Sequence, residues 1–317
     1  MKSIAIILPC YNESALIRKM KQLVEQHISD LQYNFEIVFV NDGSLDATSD
    51  IIKTFNSSHK NINITLLDLY YNMGHQSAIY QGLLYTNDKK FDNILIMDSD
   101  GEDDPAAIVE ILKHNEFELV QVVRAKRNEK LFFRLSYTLY KQIFKLLIGK
   151  KLNFGNFSLI KPKLVKALVE KNFIHLAATL NNQRCHKHQI SWDRAKRLDG
   201  ESKMNFTSLF YHAINSLVEN AQDLLFFFIK LSATILIAIL LMVGIIIYKK
   251  FWSLAAIPGW SSSLILSLCN SLLICIGIFI TGALQLNILY KQKSAKRDKQ
   301  FDETSIIKNW TVYKSDS

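Results

Sequence analysis

Two long hydrophobic stretches near the C-terminus constrain the fold of this 317-residue chain more than any other feature. They run from Leu224 to Tyr248 and from Leu264 to Tyr290. As a helix, each is long enough to cross about 30 Å of hydrocarbon. The short segment between them carries Trp252 and Trp260, which are typical of the interfacial ends of membrane helices. The sequence therefore predicts a hairpin of two transmembrane helices.

The charge of the chain favours a lipid bilayer as its partner. The formal net charge is +9, which would suit a nucleic acid, an acidic substrate or a membrane surface. No RNA-recognition, zinc-finger or helix-turn-helix pattern accompanies the basic residues, so we expect no nucleic-acid partner. A basic cluster within Lys291–Lys299 follows the second hydrophobic stretch and predicts a cytoplasmic C-terminus, although Lys249 and Lys250 oppose that orientation.

Two other segments have the hydrophobic spacing of a helix. Lys130–Ile148 combines that spacing with basic residues and fits an amphipathic helix on a bilayer surface. The spacing alone fits an ordinary helix packed on a sheet equally well. Phe206–Val218 is less basic and leaves the same two alternatives open.

Five short apolar runs predict a mainly parallel β-sheet flanked by helices. They are rich in β-branched residues and alternate with helical patterns, as in α/β proteins. The runs are Ile4–Leu8, Phe35–Val40, Ile64–Leu69, Ile94–Met97 and Leu119–Val123. Ligands of open α/β sheets bind beyond the carboxyl ends of the strands. We therefore expect the chemistry in the loops after the first, second and fourth runs.

An acidic pair directly follows the fourth run. Alternate side chains of a strand point the same way, so Asp98 and Asp100 can converge on one divalent cation. Mg²⁺ or Mn²⁺ held there would coordinate a diphosphate and neutralise the charge that develops on it as it leaves. Acidic loops at strand ends also occur without a metal, so the surrounding residues carry the inference.

Two more loops accompany this pair, PCYNE at residues 9–13 and NDGSLDAT at residues 41–48. In this order and strand context, PCYNE, NDGSLDAT and DSD resemble the family 2 glycosyltransferases, whose GT-A fold is α/β and Rossmann-like. Asp98 and Asp100 are then implied to bind the diphosphate and the metal during catalysis. The resemblance also implies that a base and ribose pocket for a nucleotide sugar is lined by Pro9, Tyr11, Glu13 and Asp42. An unliganded turn with a helix cap is the alternative for NDGS.

A narrower resemblance is to the polyprenyl-phosphate glycosyltransferases, the group of dolichyl-phosphate mannose synthase and bacterial undecaprenyl-phosphate sugar transferases. It rests on the C-terminal hairpin and on three segments, NMGHQSA at 72–78, the acidic loop at 98–105 and RAKRLDGESK at 194–203. Basic side chains suit a phosphate, because guanidinium groups bind its oxygens bidentately. The candidates for the acceptor or donor phosphates are Arg194, Arg197 and Lys203, with Arg134 in the amphipathic segment as a further one. A solvated basic loop is the alternative.

The segment Gly155-Asn156-Phe157-Ser158-Leu159 departs from this group. Some related enzymes have an Asp here that is the proposed catalytic base, whereas Asn156 cannot accept a proton and Ser158 replaces the usual Arg. A phosphate monoester is largely dianionic at neutral pH and needs little help as a nucleophile, but a sugar hydroxyl needs a base. The departure favours a phosphate acceptor, with Asn156 as a catalytic candidate that orients a substrate oxygen.

These features predict a cytoplasmic GT-A domain (1–205), a juxtamembrane helix (206–223), two transmembrane helices (224–290) and a basic cytoplasmic tail (291–317). The resemblance implies an inverting, metal-dependent transfer of one sugar from a nucleotide sugar, UDP-linked in our interpretation, to a polyprenyl phosphate in a bacterial inner membrane. Direct transfer to a glycan hydroxyl and a non-catalytic accessory role remain alternatives. Related enzymes occur as monomers and as tetramers, so a homo-oligomer is compatible with the resemblance.

Overall fold

The computed structural model describes residues 1–124, 142, 144–149, 154–171, 173–193, 195, 220–249, 260–293 and 301–306. These residues fall into two compact units. The first unit is drawn from residues 1–131, 152–212 and 296–317, and the second from residues 132–151 and 213–295.

A sheet of eight strands organises the described part of the first unit. The strands are β1 (Lys2–Cys10), β2 (Tyr33–Asn41), β3 (Ile62–Leu69), β4 (Asn93–Ile96), β5 (Leu119–Arg124), β6 (Phe154–Ile160), β7 (Lys187–Trp192) and β8 (Phe301–Ile306). Their order across the sheet is β7-β5-β6-β4-β1-β2-β3-β8. Neighbours are parallel, except that β6 is antiparallel to β4 and β5, and β8 is antiparallel to β3. The predicted mainly parallel sheet is confirmed.

Helices cover both faces of this sheet. They are α1 (Ile17–Ile28), α2 (Thr48–Lys53), α3 (His75–Asp88), α4 (Ala107–Lys113), α5 (Pro162–Lys171) and α6 (Leu176–Asn182). On one face Ile4, Ile6 and Leu8 belong to a core that includes α1 and α4, and on the other Ala5 and Ile7 belong to a core that includes α3 and α5. Burial on both faces explains why β1 is continuously apolar. Each fully buried Ile or Leu contributes about 1.5–3 kcal/mol.

Strand β8 lies inside the segment that the sequence predicts to be a tail. It pairs with β3 from Leu69 opposite Phe301 to Ile64 opposite Ile306. Phe301 is buried in one of the two cores, with its ring centroid 6.4 Å from that of Tyr85. The residues that follow the second hydrophobic stretch therefore add a strand to the same sheet as the N-terminal residues.

The second unit contains two long apolar helices, α7 (Ala221–Tyr248) and α8 (Trp260–Lys293), which pack against each other. Asp223–Tyr248 has a mean hydropathy of 2.7 and Ser262–Gly282 one of 2.4, so both are long and apolar enough to cross a membrane. Their large side chains are exposed, as at Leu240 and Leu241. Such surface is unfavourable in water and is typical of a helix that faces lipid.

The predicted amphipathic helix and the predicted juxtamembrane helix are described only in part. Residue 142 and residues 144–148 of the first are helical, with Phe144 buried and Lys145 exposed. Most of 206–223 lies outside the described residues, as does Trp252.

Candidate functional site

Hydrogen bonds join the loops that follow β1 and β2. Asn12 adopts a positive φ of 52°, a conformation that Asn tolerates better than most residues. Its backbone N–H donates to Ser44 Oγ (2.9 Å), and its Oδ1 accepts from the N–H of Leu45 (2.8 Å). The N–H of Glu13 donates to Thr48 Oγ1 (2.9 Å). Hydrogen bonds therefore hold the loops PCYNE and NDGSLDAT against each other beyond the carboxyl ends of β1 and β2.

Asp42 connects these two loops to the loop that leads into α3. Its carboxylate Oδ1 accepts from the backbone N–H of Met73 (2.7 Å), and its own N–H donates to the carbonyl oxygen of Cys10 (2.9 Å). The side chain is buried. Burial raises the pKa of Asp42, and this effect outweighs the opposing hydrogen bonds from Met73 and Gly74 and the charge of His75. One carboxylate oxygen of Asp42 therefore already accepts a hydrogen bond from the protein itself.

Gly43 occupies a position that a side chain would disrupt. Its φ is +61°, and a Cβ built there would lie 2.5 Å from the backbone N of Asn72 and from the backbone C of Tyr71. A Cβ would therefore overlap the backbone of the following loop. The residue allows the β2 and β3 loops to touch.

An open groove of about 550 Å³ lies beyond the ends of β2 and β3. Its lining residues are Tyr11, Asn41, Gly43, Ser44, Leu45, Ser49, Asp68, Leu69, Tyr70, Tyr71, Asn72 and Asp302. Of the residues predicted for the nucleotide, Tyr11 lines the groove, whereas Pro9, Glu13 and Asp42 are not among the lining residues.

Sequence reasoning missed the far wall of the groove. Tyr70 and Tyr71 are exposed to 59% and 57%, and the hydroxyl of Tyr70 donates to Asp302 Oδ1 on β8 (3.3 Å). Aromatic faces can stack on a planar base, and carboxylates can accept from its N–H groups or from a ribose hydroxyl. Their position in the sequence could have indicated this role, because the two tyrosines directly follow the third apolar run, at the carboxyl end of a strand.

The acidic loop Asp98-Ser99-Asp100 begins after the strand has ended, because β4 stops at Ile96. The alternation of side chains along a strand therefore does not position the two carboxylates. Hydrogen bonds within the loop do so instead. The N–H of Asp98 donates to Asp103 Oδ2 (2.9 Å), and Asp100 Oδ1 accepts from the N–H of Glu102 (2.9 Å).

The acidic loop is hydrogen-bonded to Pro9, a residue near the end of β1. The hydroxyl of Ser99 is buried and donates to the carbonyl oxygen of Pro9 (2.7 Å). Pro9 thereby fixes the acidic loop next to Tyr11, which lines the groove. The predicted residues Pro9, Asp98 and Asp100 are brought together at one edge.

His75, the first residue of α3, lies beside the acidic loop and was not among the predicted site residues. Its Nε2 is 3.2 Å from Asp98 Oδ1. Burial lowers the pKa of His75, but Asp98, together with Asp100 and Asp103, raises it further, so the net shift is upward. The only sequence signal for His75 was its place in the NMGHQSA segment.

The donor atoms of the acidic loop fit a divalent cation. Asp98 and Asp100 offer carboxylate oxygens, the ligands that Mg²⁺ and Mn²⁺ prefer. Within the described ranges, no cluster of three or more His, Cys, Asp or Glu side chains could hold a metal alone. Mg²⁺ sites commonly use one or two carboxylates and take their other ligands from substrate phosphates and water. The loop therefore suits an ion that arrives with a diphosphate.

Asn156 lies on β6 beside His75. Its Nδ2 is 3.1 Å from His75 Nε2, and its carbonyl oxygen accepts from the buried hydroxyl of Ser158 (2.8 Å). The structure thus brings the predicted residue Asn156 to His75, the residue that contacts Asp98.

The basic candidates Arg134, Arg194, Arg197 and Lys203 lie outside the described residues. Ala195, which lies in the same sequence segment as Arg194 and Arg197, is described, and its N–H donates to the carbonyl oxygen of Glu102 (3.2 Å). This hydrogen bond attaches the start of the basic segment to the acidic loop.

Comparisons with known proteins agree with these features. The model of the family described as "Glycosyl transferase family 2" matches residues 5–168. The uncharacterized glycosyltransferase YkcC of Bacillus subtilis is 27% identical over 88% of this chain and 87% of that protein. The undecaprenyl-phosphate 4-deoxy-4-formamido-L-arabinose transferase of Photorhabdus laumondii is 24% identical over 80% of each chain.

A solved structure shares the fold. Glucosyl-3-phosphoglycerate synthase from Mycobacterium tuberculosis, in complex with Mn²⁺, UDP and phosphoglyceric acid, matches with a TM-score of 0.51 and 15% identity. The match covers 70% of this chain and 78% of that chain. At this identity the likeness bears on the fold.

Proposed function

The chain belongs to glycosyl transferase family 2, and we propose that it transfers one sugar from a nucleotide sugar to a polyprenyl phosphate. The family resemblance based on PCYNE, NDGSLDAT and DSD is confirmed, and so is the prediction of a glycosyltransferase. The donor, the acceptor and the metal are the parts that we propose.

One observation carries the proposal: an open groove with aromatic walls and an acidic loop both lie beyond the carboxyl ends of the parallel strands of one sheet. A base and ribose would lie in the groove against Tyr11, Tyr70 and Tyr71. The diphosphate would then extend toward Asp98 and Asp100. UDP with Mn²⁺ in the structural relative supports a UDP-linked donor.

Asp98 and Asp100 would hold Mg²⁺ or Mn²⁺, and the bound ion would offset the negative charge on the leaving diphosphate. A diphosphate and two carboxylates repel each other strongly without such a cation. Asp98 would therefore contribute to the binding of both the nucleotide-sugar donor and the metal ion.

In the proposed reaction an oxygen of the acceptor phosphate attacks the anomeric carbon. The bond from this carbon to the diphosphate oxygen breaks, its electron pair leaves with the nucleoside diphosphate, and the configuration at the carbon is inverted. No proton has to be removed, because a phosphate monoester is largely a dianion at neutral pH. The protein supplies position and charge. This chemistry accords with Asn156, which cannot serve as a base.

The two apolar helices support a lipid acceptor, which would reach the enzyme from the bilayer. The relative from Photorhabdus laumondii, whose name includes undecaprenyl phosphate, supports the same class of acceptor. The basic residues Arg194, Arg197 and Lys203 would bind its phosphate, and Arg134 would assist from the amphipathic segment.

We further propose that α7 and α8 span a bacterial inner membrane, with the sheet and the C-terminal residues on the cytoplasmic side. The pairing of β8, which follows α8 in the chain, with β3 supports an arrangement in which both ends of the hairpin face one side of the membrane. Basic residues within Lys291–Lys299 favour the cytoplasm for that side.

The test is a transfer assay with membranes that contain the protein. Membranes are incubated with a panel of labelled nucleotide sugars, undecaprenyl phosphate and Mg²⁺ or Mn²⁺, and are then extracted with organic solvent. We expect label in the lipid phase with the wild-type protein and a loss of at least about 100-fold with Asp100→Ala. Asp30→Ala is the matched control, because Asp30 is exposed between α1 and β2, at the opposite edge of the sheet.

Two results would contradict the proposal. Label found only in a polymer would indicate direct transfer to a glycan hydroxyl. UDP binding without any transfer would indicate the accessory role. Chelation of the divalent cation supplies an independent check, because it should abolish lipid labelling in the wild type and leave the fold intact.

A further inference from the structure

A line of hydrogen bonds runs from the start of α6 to the acidic loop. The backbone N–H of Leu176 donates to Gln76 Oε1 (2.7 Å), and Gln76 Nε2 donates to Asn156 Oδ1 (3.4 Å). Asn156 Nδ2 then lies 3.1 Å from His75 Nε2, which lies 3.2 Å from Asp98 Oδ1. The line connects four elements that are distant in the sequence.

The backbone of Leu176 fixes the direction of two side-chain amides. A backbone N–H can only donate, so the oxygen of the Gln76 amide must face Leu176. The NH₂ group of Gln76 then faces Asn156, and the oxygen of the Asn156 amide must face that NH₂ group. The NH₂ group of Asn156 is left to face His75 and the acidic loop. This orientation follows from the network, without any choice about which way either amide points.

His75 Nε2 cannot satisfy both of its neighbours. A neutral imidazole nitrogen either donates or accepts. The Asn156 amide NH₂ needs an acceptor, whereas the Asp98 carboxylate needs a donor. If Nε2 carries a hydrogen for Asp98, then Asn156 and His75 present two donors 3.1 Å apart. The one hydrogen on Nε2 is then committed to Asp98, so the Asn156 NH₂ group is the donor that remains for an anionic oxygen at an ordinary hydrogen-bond distance of about 2.7–3.2 Å.

We propose that the Asn156 amide N–H donates to a phosphate oxygen of the acceptor and that Gln76 is the positioning residue that keeps the amide turned that way. The inference rests on the proposed function and extends it, because it names the group that receives the acceptor phosphate next to the acidic loop. A phosphate oxygen accepts hydrogen bonds and has no hydrogen to give. A donor is therefore the correct partner at position 156, and a carboxylate there would repel the acceptor.

The inference gives Asn156 a role opposite to that of a catalytic base. If position 156 needed a base, restoring a carboxylate would raise activity. If it needs a donor, a carboxylate would be worse than no side chain at all. Asn156→Asp and Asn156→Ala therefore separate the two roles by the order of their effects.

The experiment measures the KM for undecaprenyl phosphate and the KM for the nucleotide sugar separately, with purified full-length protein in detergent. For Asn156→Asp we expect the acceptor KM to rise roughly 10- to 100-fold, the range for a lost hydrogen bond to a charged group. Asn156→Ala should raise it by less, and the donor KM should change by less than about three-fold in both variants.

Gln76→Glu provides a second route that leaves Asn156 in place. Glu keeps an acceptor for Leu176 but offers oxygen in place of NH₂ to Asn156, whose amide would then turn over. We expect the acceptor KM to rise by about 3- to 10-fold. Asn87→Asp is the control, because it adds the same charge at an exposed position of α3 and should leave both KM values unchanged.

The outcomes distinguish this inference from the proposed function. If the wild-type protein makes no lipid-linked product, both fail together. If it does so and Asn156→Asp has an acceptor KM equal to or below that of the wild type, the inference alone fails. The same holds if Gln76→Glu raises only the donor KM. Thermal unfolding of each variant identifies one that has not folded, and the remaining variant then decides.

Discussion

The proposed site has a nucleotide half, which consists of the loops after β1, β2 and β3, and an acceptor half around Gln76, Asn156 and His75, and the two are built differently. In the nucleotide half, backbone N–H groups of adjacent loops lie against short polar side chains, as at Asn12, Glu13 and Asp42. In the acceptor half, two side-chain amides and an imidazole lie end to end between distant elements. Turn geometry therefore fixes the first half, whereas the second depends on amide orientation. We expect changes in the two halves to affect different kinetic constants.

Asp98→Asn should have the largest effect, because Asp98 belongs to both halves. Its N–H is held by Asp103, and its carboxylate contacts His75. Removal of its charge would weaken the proposed binding of the cation, and with it that of the diphosphate, so we expect transfer to fall by about 100-fold or more. The measurement is kcat together with the melting temperature, which should stay near the wild-type value. A kcat close to that of the wild type would remove Asp98 from the proposed site, and Asp30→Asn is the control.

Gly43→Ala should disturb the nucleotide half and the stability of the domain. The new Cβ would have a positive φ and would lie 2.5 Å from the backbone of the next loop, so we expect a loss of about 2–4 kcal/mol and a higher donor KM. Gly74→Ala is a matched control with a φ of +87° and no atom within 4 Å of its Cβ. It should cost only the backbone strain, about 1–3 kcal/mol. Denaturant unfolding of both variants tests the difference, and equal losses would show that the close contact at Gly43 contributes nothing.

Asp46→Asn should have the smallest effect, and that effect should depend on pH. Partial burial tends to raise the pKa of Asp46, but hydrogen bonds from Thr48 and Ser14 lower it to about 2. Because the folded pKa is below the unfolded value of about 3.9, the ionised group stabilises the fold above that value. This contribution is lost as the pH falls toward 2.

The measurement is the difference in unfolding free energy between the wild type and Asp46→Asn. We expect roughly 1 kcal/mol at neutral pH, because an Asn amide has one acceptor oxygen and no charge for the hydrogen bonds that Asp46 accepts from Thr48 and Ser14, and progressively less between about pH 4 and pH 2. A difference that did not change with pH would show that shape, and not charge, accounts for the effect. Transfer activity at neutral pH should change little.

Much of the nucleotide half could be predicted from the sequence. Strands β1 to β5 are apolar because they are buried on one or both faces, so short hydrophobic runs located them to within a few residues. The loops that follow them carry motifs whose residues are close in the chain. Local sequence patterns were sufficient to predict those elements whose structure depends on residues that are close together in the chain.

The acceptor half could not be predicted in the same way. The hydrogen bonds of Gln76 and Asn156 join residues 80 to 100 positions apart, and no local pattern records which amide atoms meet. Strand β6 was missed because the polar residues Asn156 and Ser158 interrupt its apolar residues. Strand β8 was missed because Asp302 and Glu303 are exposed at an edge with one neighbour, where hydrophobicity is weak.

Strand β8 also has a consequence for how the protein is made. The sheet receives its last strand only after the ribosome has synthesised both apolar helices, so the N-terminal unit cannot finish folding before the hairpin emerges. Until then β3 presents its backbone N–H and C=O groups as an open template for other chains. Synthesis of the two apolar helices and protection of this strand edge against aggregation are thus successive steps in the production of the protein.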